Sequence, residues 1–237
     1  MSRGTQNTLV LLVGLSALLM AIKGTYLHFV KPSLLPWLIA AGVVLVVLAV
    51  ASIVRDLRDA PDADADEHGH RHRSWLVWLL LVPIALTTFV VPPPLGAQGA
   101  APEAVAVTAP PKRAFPPLPA GRAPAVSIPD AVMRAAADST DSLDRRLITL
   151  AGFTVKYSEG TDLGRVVIVC CAADAQLARI HLSGVAAAEA AGYPEDTWLQ
   201  VEGTMVPGTS TASTNFIPTI AVSRVTRIDK PANTYAY

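Results

Sequence analysis

Two groups of side chains have the types and spacing for metal or thiol chemistry. The first is Asp62-Ala-Asp64-Ala-Asp66-Glu67-His68-Gly-His70-Arg-His72, where carboxylates and imidazoles recur at alternate positions. His68, His70 and His72 are three of the five histidines in the chain. With Asp66 they can wrap a divalent ion, and imidazole favours zinc, copper or nickel over magnesium or calcium. Arg71 and Arg73 would repel such an ion, so a solvated charged loop is the competing reading.

The second group is Cys170-Cys171-Ala-Ala-Asp174, at the end of an apolar run that reads as a strand from Arg165 to Ala172. Successive strand residues face opposite sides, so one thiol is expected in the core and the other toward solvent or a partner. A disulfide between them is disfavoured, because adjacent Cα atoms lie about 3.8 Å apart and a bridge usually needs about 4.4 to 6.8 Å. A reduced pair with Asp174, and with His181 if the fold brings it near, can bind zinc or copper, or one cysteine can act in redox exchange. The alternative is two buried cysteines acting as small hydrophobes, with Asp174 capping a turn.

No Walker loop, dinucleotide fingerprint, nucleophile elbow or HExxH occurs, and no Ser, His and acid set assembles without free choice of partners. No enzymatic activity is therefore expected. Glu189, Glu195, Asp196 and Glu202 read as surface charges, and Trp198 as a core anchor. The 237 residues are 51% apolar and 16% charged, with 19 basic residues against 19 acidic ones. That balance argues against a soluble globular protein, a disordered chain and a basic nucleic-acid binder.

Thr5 to Ile22, Pro32 to Val54 and Ser74 to Val91 contain no Lys, Arg, Asp or Glu. Each approaches the roughly 20 residues that cross a bilayer, so three transmembrane helices are expected within residues 1–91. The second is apolar on every face, unlike a soluble amphipathic helix. The third is marginal in length and contains Pro83, so a hinge or interfacial helix competes there. A signal peptide competes for the first window, although a further apolar window follows at once. Ala40, Ala41, Gly42, Ala49 and Ala51 offer close-approach surfaces for another helix.

Arg3, Arg55, Arg58, Arg71 and Arg73 flank one side of these windows, and Lys23 and Lys31 the other. The basic-residue rule then puts the N-terminus and the 55–73 loop in the cytoplasm of a bacterium and everything after Val91 outside. Eleven of the 19 prolines lie between Pro92 and Pro129. Residues 92–127 therefore read as an extended spacer. Residues 128–237 read as one extracytoplasmic all-β domain: a short helix, five strands, and a second short helix at Val185 to Ala191. Gly152 and Gly203, each inside a strand, suit the coiling of a closed, OB-like small barrel, with a β-sandwich as alternative. Tyr235 and Tyr237 suit either a recognition tail or a frayed end.

The phrase Val167-Ile-Val-Cys170-Cys171-Ala-Ala-Asp174-Ala, with Gly152-Phe153, Thr197-Trp198-Leu-Gln-Val-Glu-Gly203 and Tyr235-Ala-Tyr237, resembles the YcgQ-like membrane protein family. Members are described as subunits of a two-component permease. The resemblance implies a multi-span permease partner in the plasma membrane and supplies no catalytic residue. The chain departs from a typical member at Thr234, where a proline is expected before the final aromatic pair. Two functions follow as expectations. One is an accessory permease subunit that handles zinc or a related metal. The other is a membrane-tethered extracytoplasmic binding or thiol-redox module with no transport role.

Overall fold

The structure is a computed structural model and describes residues 3–58, 93–97, 110–157 and 160–237. The expected third span, Ser74 to Val91, and the loop carrying Asp66, His68, His70 and His72 lie outside the described residues. The chain divides into two compact units, Met1–Pro93 and Pro94–Tyr237.

In the first unit, helix α1 (Arg3–Lys23) and helix α2 (Leu35–Arg58) form an antiparallel hairpin. Their many Leu and Ala favour helix, and α1 ends where Gly24 takes φ 74°, a left-handed conformation that glycine adopts without strain. Both helices are long and apolar enough to cross a membrane. They meet at Gly14 and Gly42: a Cβ on Gly14 would lie 3.0 Å from the Gly42 carbonyl, and one on Gly42 would lie 2.9 Å from Leu18. The small residue at 42 therefore serves packing within this chain. Asn7 closes the far end of the hairpin by donating to the Asp56 carboxylate at 3.0 Å. Ile22, Trp37, Val47 and Leu48 point outward and are more than half exposed.

In the second unit, helix α3 (Ile128–Ala137) is capped by Ser127, whose hydroxyl accepts from the Asp130 amide. The strands are β1 (Leu147–Tyr157), β2 (Gly160–Val167), β3 (Gln176–Ser183), β4 (Trp198–Met205), β5 (Thr219–Arg227) and the short β6 (Tyr235–Ala236). Helix α4 (Ala187–Ala191) joins β3 to β4. The sheet is mixed. β1 pairs antiparallel with both β4 and β2, β2 with β3, and β4 with β5, while β3–β5 and β2–β6 are parallel. The pairings β1–β4–β5–β3–β2–β1 thus return to their starting strand.

The glycines sit where that arrangement is tightest. A Cβ on Gly203, at the register shift between β4 and β5, would come within 2.5 Å of the Ala221 carbonyl. One on Gly152 would collide with the Gly164 carbonyl and with Ile128 of α3. Ile148, Leu150, Leu163, Ile180, Leu199 and Ile220 form the main core, against which Ile128 and Ala131 pack. A second core joins Phe153, Val166, Ile168, Leu177, Trp198 and Tyr235. Trp198 meets Phe153 edge-on at 5.6 Å, as expected of an aromatic anchor.

Two expectations change. Residues 94–97 and 110–127 of the stretch read as a spacer are tied to the sheet domain. Val126 donates to the Thr149 carbonyl and Thr149 to that of Pro124, both at 2.9 Å. The Arg113 and Arg134 guanidiniums flank the Phe115 ring at 4.7 and 5.0 Å. Leu95 donates to the Tyr235 hydroxyl at 2.9 Å and Ala97 to Asp196 at 2.8 Å. Composition undervalued this stretch because proline loses little backbone freedom on ordering, so a few bonds and one aromatic hold it. Tyr235, second, is neither a recognition tail nor a frayed end: it is 1% exposed in the second core.

Replacing Gly203 by Ala should lower stability by about 2 kcal/mol, measured as thermal or denaturant unfolding of the detergent-solubilised protein, because the new methyl meets backbone that cannot withdraw. Thr234→Val should raise it by about 1 kcal/mol, since the buried Thr234 hydroxyl has no hydrogen-bond partner among the described residues.

Candidate metal centre

β2 ends at Val167, and Ile168 remains on the sheet through its amide, which donates to Ala236 at 3.1 Å. The chain then leaves the ladder because Asp174 captures the next backbone donors. Its Oδ1 accepts from the Val169 amide at 2.8 Å, and its Oδ2 accepts from the Cys170 and Cys171 amides at 2.8 and 3.2 Å. A 3-10 turn, Ala172–Asp174, completes the loop. This is the side-chain capture of backbone that makes Asp a turn-former.

The two cysteines therefore lie beyond the strand, and neither enters the core. Cys170 is exposed and Cys171 half-buried. The expected opposite facing of the thiols fails because the strand runs from 160 to 167, five residues earlier than the apolar run suggests. Asp174, in contrast, caps a turn, one of the roles its spacing allowed.

The loop gathers three potential ligands, with Cys170 Sγ, Cys171 Sγ and a carboxylate oxygen of Asp174 all within 4.8 Å of one another. The Cys170 thiol donates to Asp174 Oδ2 at 2.8 Å, and the two sulfurs, 3.7 Å apart, form no disulfide. A tetrahedral zinc with Zn–S bonds of about 2.3 Å spaces two sulfurs by about 3.8 Å, so the thiols stand at a chelating separation. Donation to Asp174, with a smaller contribution from the neighbouring thiol of Cys171, pushes the Cys170 thiol up to about 11. The same bond and the Val169 amide hold Asp174 down at about 2. Asp174 thus stabilises the fold above the ordinary carboxylate range, and that contribution fades as pH falls toward 2.

His181 does not join this site. Asp162 pairs with His181 at one end of the β2–β3 ladder, and Val167 with Gln176 at the thiol end. Five residues at about 3.3 Å each separate the two ends by roughly 17 Å. His181 Nδ1 instead lies 2.6 Å from Asp162 Oδ1, and Arg179 Nη1 lies 3.7 Å from Asp162 Oδ2. Burial pushes the Asp162 carboxyl up, and the bond to His181 opposes it. The sequence reading passed over this polar group, whose only signal was an acidic residue interrupting an apolar strand. It also passed over Arg165, which stacks on Trp198 at 4.7 Å and donates to the Asn233 carbonyl at 2.8 Å.

These features define a chain with an apolar helical hairpin and a mixed-sheet domain that displays two thiols beside a carboxylate. Residues 131–237 match the family model of the DUF1980 C-terminal domain. That description names a domain and no activity. No curated protein and no solved structure matches the chain.

Alkylation of Cys170 by iodoacetamide, followed by mass spectrometry, should accelerate with pH up to about 11 in the wild-type protein. In Asp174→Asn the midpoint should move toward the ordinary thiol value of about 8.5. An identical profile in the two proteins would contradict the role given to the carboxylate.

Proposed function

We propose that this chain is an integral protein of a bacterial plasma membrane, an accessory subunit to a multi-span permease, whose β domain binds zinc or a related thiophilic metal outside the cell. The observation that carries the metal assignment is the juxtaposition of Cys170 Sγ, Cys171 Sγ and the Asp174 carboxylate within 4.8 Å on an accessible loop. The apolar hairpin supports a membrane setting. The return of the strand pairings to β1, with β3 parallel to β5 and a helix between β3 and β4, supports an OB-like barrel. The YcgQ-like resemblance of the Cys-Cys-Ala-Ala-Asp phrase supports a permease partner. Three spans, with the N-terminus and the histidine loop cytoplasmic, remain part of this reading on the distribution of basic residues.

A thiol-redox role is the weaker reading. The nucleophile in exchange is the thiolate, and the bond to Asp174 keeps Cys170 protonated at neutral pH. Metal binding is less impeded, because bonds to the cation offset the cost of displacing the protons.

Purified full-length protein should contain zinc that is lost in Cys170→Ser/Cys171→Ser and retained in His68→Ala/His70→Ala/His72→Ala. Zinc retained in the cysteine variant and lost in the histidine variant would move the function to the other group. Cys170 and Cys171 are the only cysteines, so a membrane-impermeant maleimide reports orientation. Labelling of intact cells is expected, and labelling only after lysis would overturn the extracytoplasmic assignment.

A further inference from the structure

We propose that Asp174 is a positioning residue and not a metal ligand, so that the β domain holds its cation through two sulfurs alone and leaves the other coordination positions open to ligands from a partner protein. This rests on the metal-binding reading above.

The hydrogen bonds on the carboxylate carry the argument. Oδ1 receives the Val169 amide, and Oδ2 receives the amides of Cys170 and Cys171 together with the Cys170 thiol. A carboxylate oxygen offers about two lone-pair sites, so the two amides alone fill Oδ2, the oxygen that meets the Cys170 thiol, even after that thiol gives up its proton, while Oδ1 accepts the Val169 amide and keeps one site. If Asp174 turned to coordinate, it would release the amides that bend the chain after Ile168, and the bend is what brings the two thiols together.

Distances agree. Sulfur and oxygen ligands on one tetrahedral zinc lie about 3.5 Å apart. The 2.8 Å between Cys170 Sγ and Asp174 Oδ2 is the distance of a hydrogen bond, whereas the 3.7 Å between the sulfurs already suits shared coordination. Binding forms two metal–sulfur bonds, releases both thiol protons to solvent and involves no redox change.

A tetrahedral ion held by two sulfurs has two further positions. His181 is engaged with Asp162 at the far end of the ladder, and the grouping of possible ligands at the thiol loop contains Cys170, Cys171 and Asp174 alone among the described residues. Water fills the open positions until another protein presents imidazole or thiolate. The exposure of Cys170 and of Val169, which is 71% exposed, makes that approach possible. Such a site suits passing a metal on, whereas structural zinc sites close all four positions with protein ligands.

The test is zinc affinity of the full-length protein in detergent, by competition with a chromophoric chelator. Asp174→Asn and Asp174→Ser each keep one of the two oxygen acceptors for the backbone amides, Ser on a shorter side chain, and offer zinc a poor ligand. Both should bind within about threefold of wild type, while Asp174→Ala, which frees the loop, should weaken binding about tenfold. Cys170→Ser and Cys171→Ser should each lose far more, about 100-fold. Added imidazole should bind to the zinc-loaded protein as a third ligand. Thermal unfolding checks that each variant is folded, and the Asn and Ser variants substitute for each other if one is not. Zinc held by wild type but lost from the Asn and Ser variants to the extent seen for the cysteine variants would overturn this inference alone, as would failure of imidazole to bind. Failure of wild type to bind zinc would overturn the metal-binding reading and the inference together.

Discussion

The sheet domain depends on one close approach. β1 pairs with β4 along Leu147 to Phe153 and with β2 along Phe153 to Tyr157, so a single strand serves two neighbours and changes between them near Gly152. There the Gly164 carbonyl and Ile128 occupy the space a Cβ would need. With a side chain at 152 the strands would separate, and the ring of pairings through β4, β5 and β3 would open. Gly203 has a related role on the opposite side, where the register shift bends β4 onto β5. The path of β2 follows from this closure. β2 ends at Val167 with Ile168 buried in the second core, and the next residues are free to form a loop.

That loop turns a structural device into a chemical one. Asp174 draws three backbone amides and one thiol around a single carboxylate, and the result is two adjacent sulfurs on an accessible surface at 3.7 Å. The same carboxylate suppresses the thiolate by holding the Cys170 proton. An arrangement that disfavours a free nucleophile while holding the sulfurs at a chelating distance is better suited to capturing a cation than to disulfide exchange. The second core below it is completed by Tyr235 and by Leu95 and Ala97, so segments from both ends of the domain support the strand that leads into the thiol loop.

The two apolar helices, α3, α4, the strands β1, β3, β4 and β5 and the special standing of Gly152 and Gly203 were legible from periodicity, capping and composition. The position of the cysteines was not. Arg165 to Ala172 looks like continuous strand, and only a long view from Asp174 back to the amides of 169–171 shows that the ladder must stop. Tyr235 gave no local signal either, because its burial comes from parallel pairing with a strand about 70 residues earlier in the chain. The proline-rich stretch misled for a different reason. Its bonds to Thr149 and the stacking on Phe115 are few, and composition cannot register them. Of the candidate ligands, Cys170, Cys171 and Asp174 lie together on one loop, where opposite facing of the thiols was expected, and His181 is separated from them by the strand register.

The central claim is that the loop after β2 is a two-sulfur metal site. Cobalt(II) substituted into the full-length protein tests it directly, since its visible spectrum reports both geometry and ligand type. The account predicts the intense visible bands of a tetrahedral ion together with sulfur-to-cobalt charge transfer, both absent from Cys170→Ser/Cys171→Ser. A weak octahedral spectrum without charge transfer, unchanged by removing the cysteines, would contradict it.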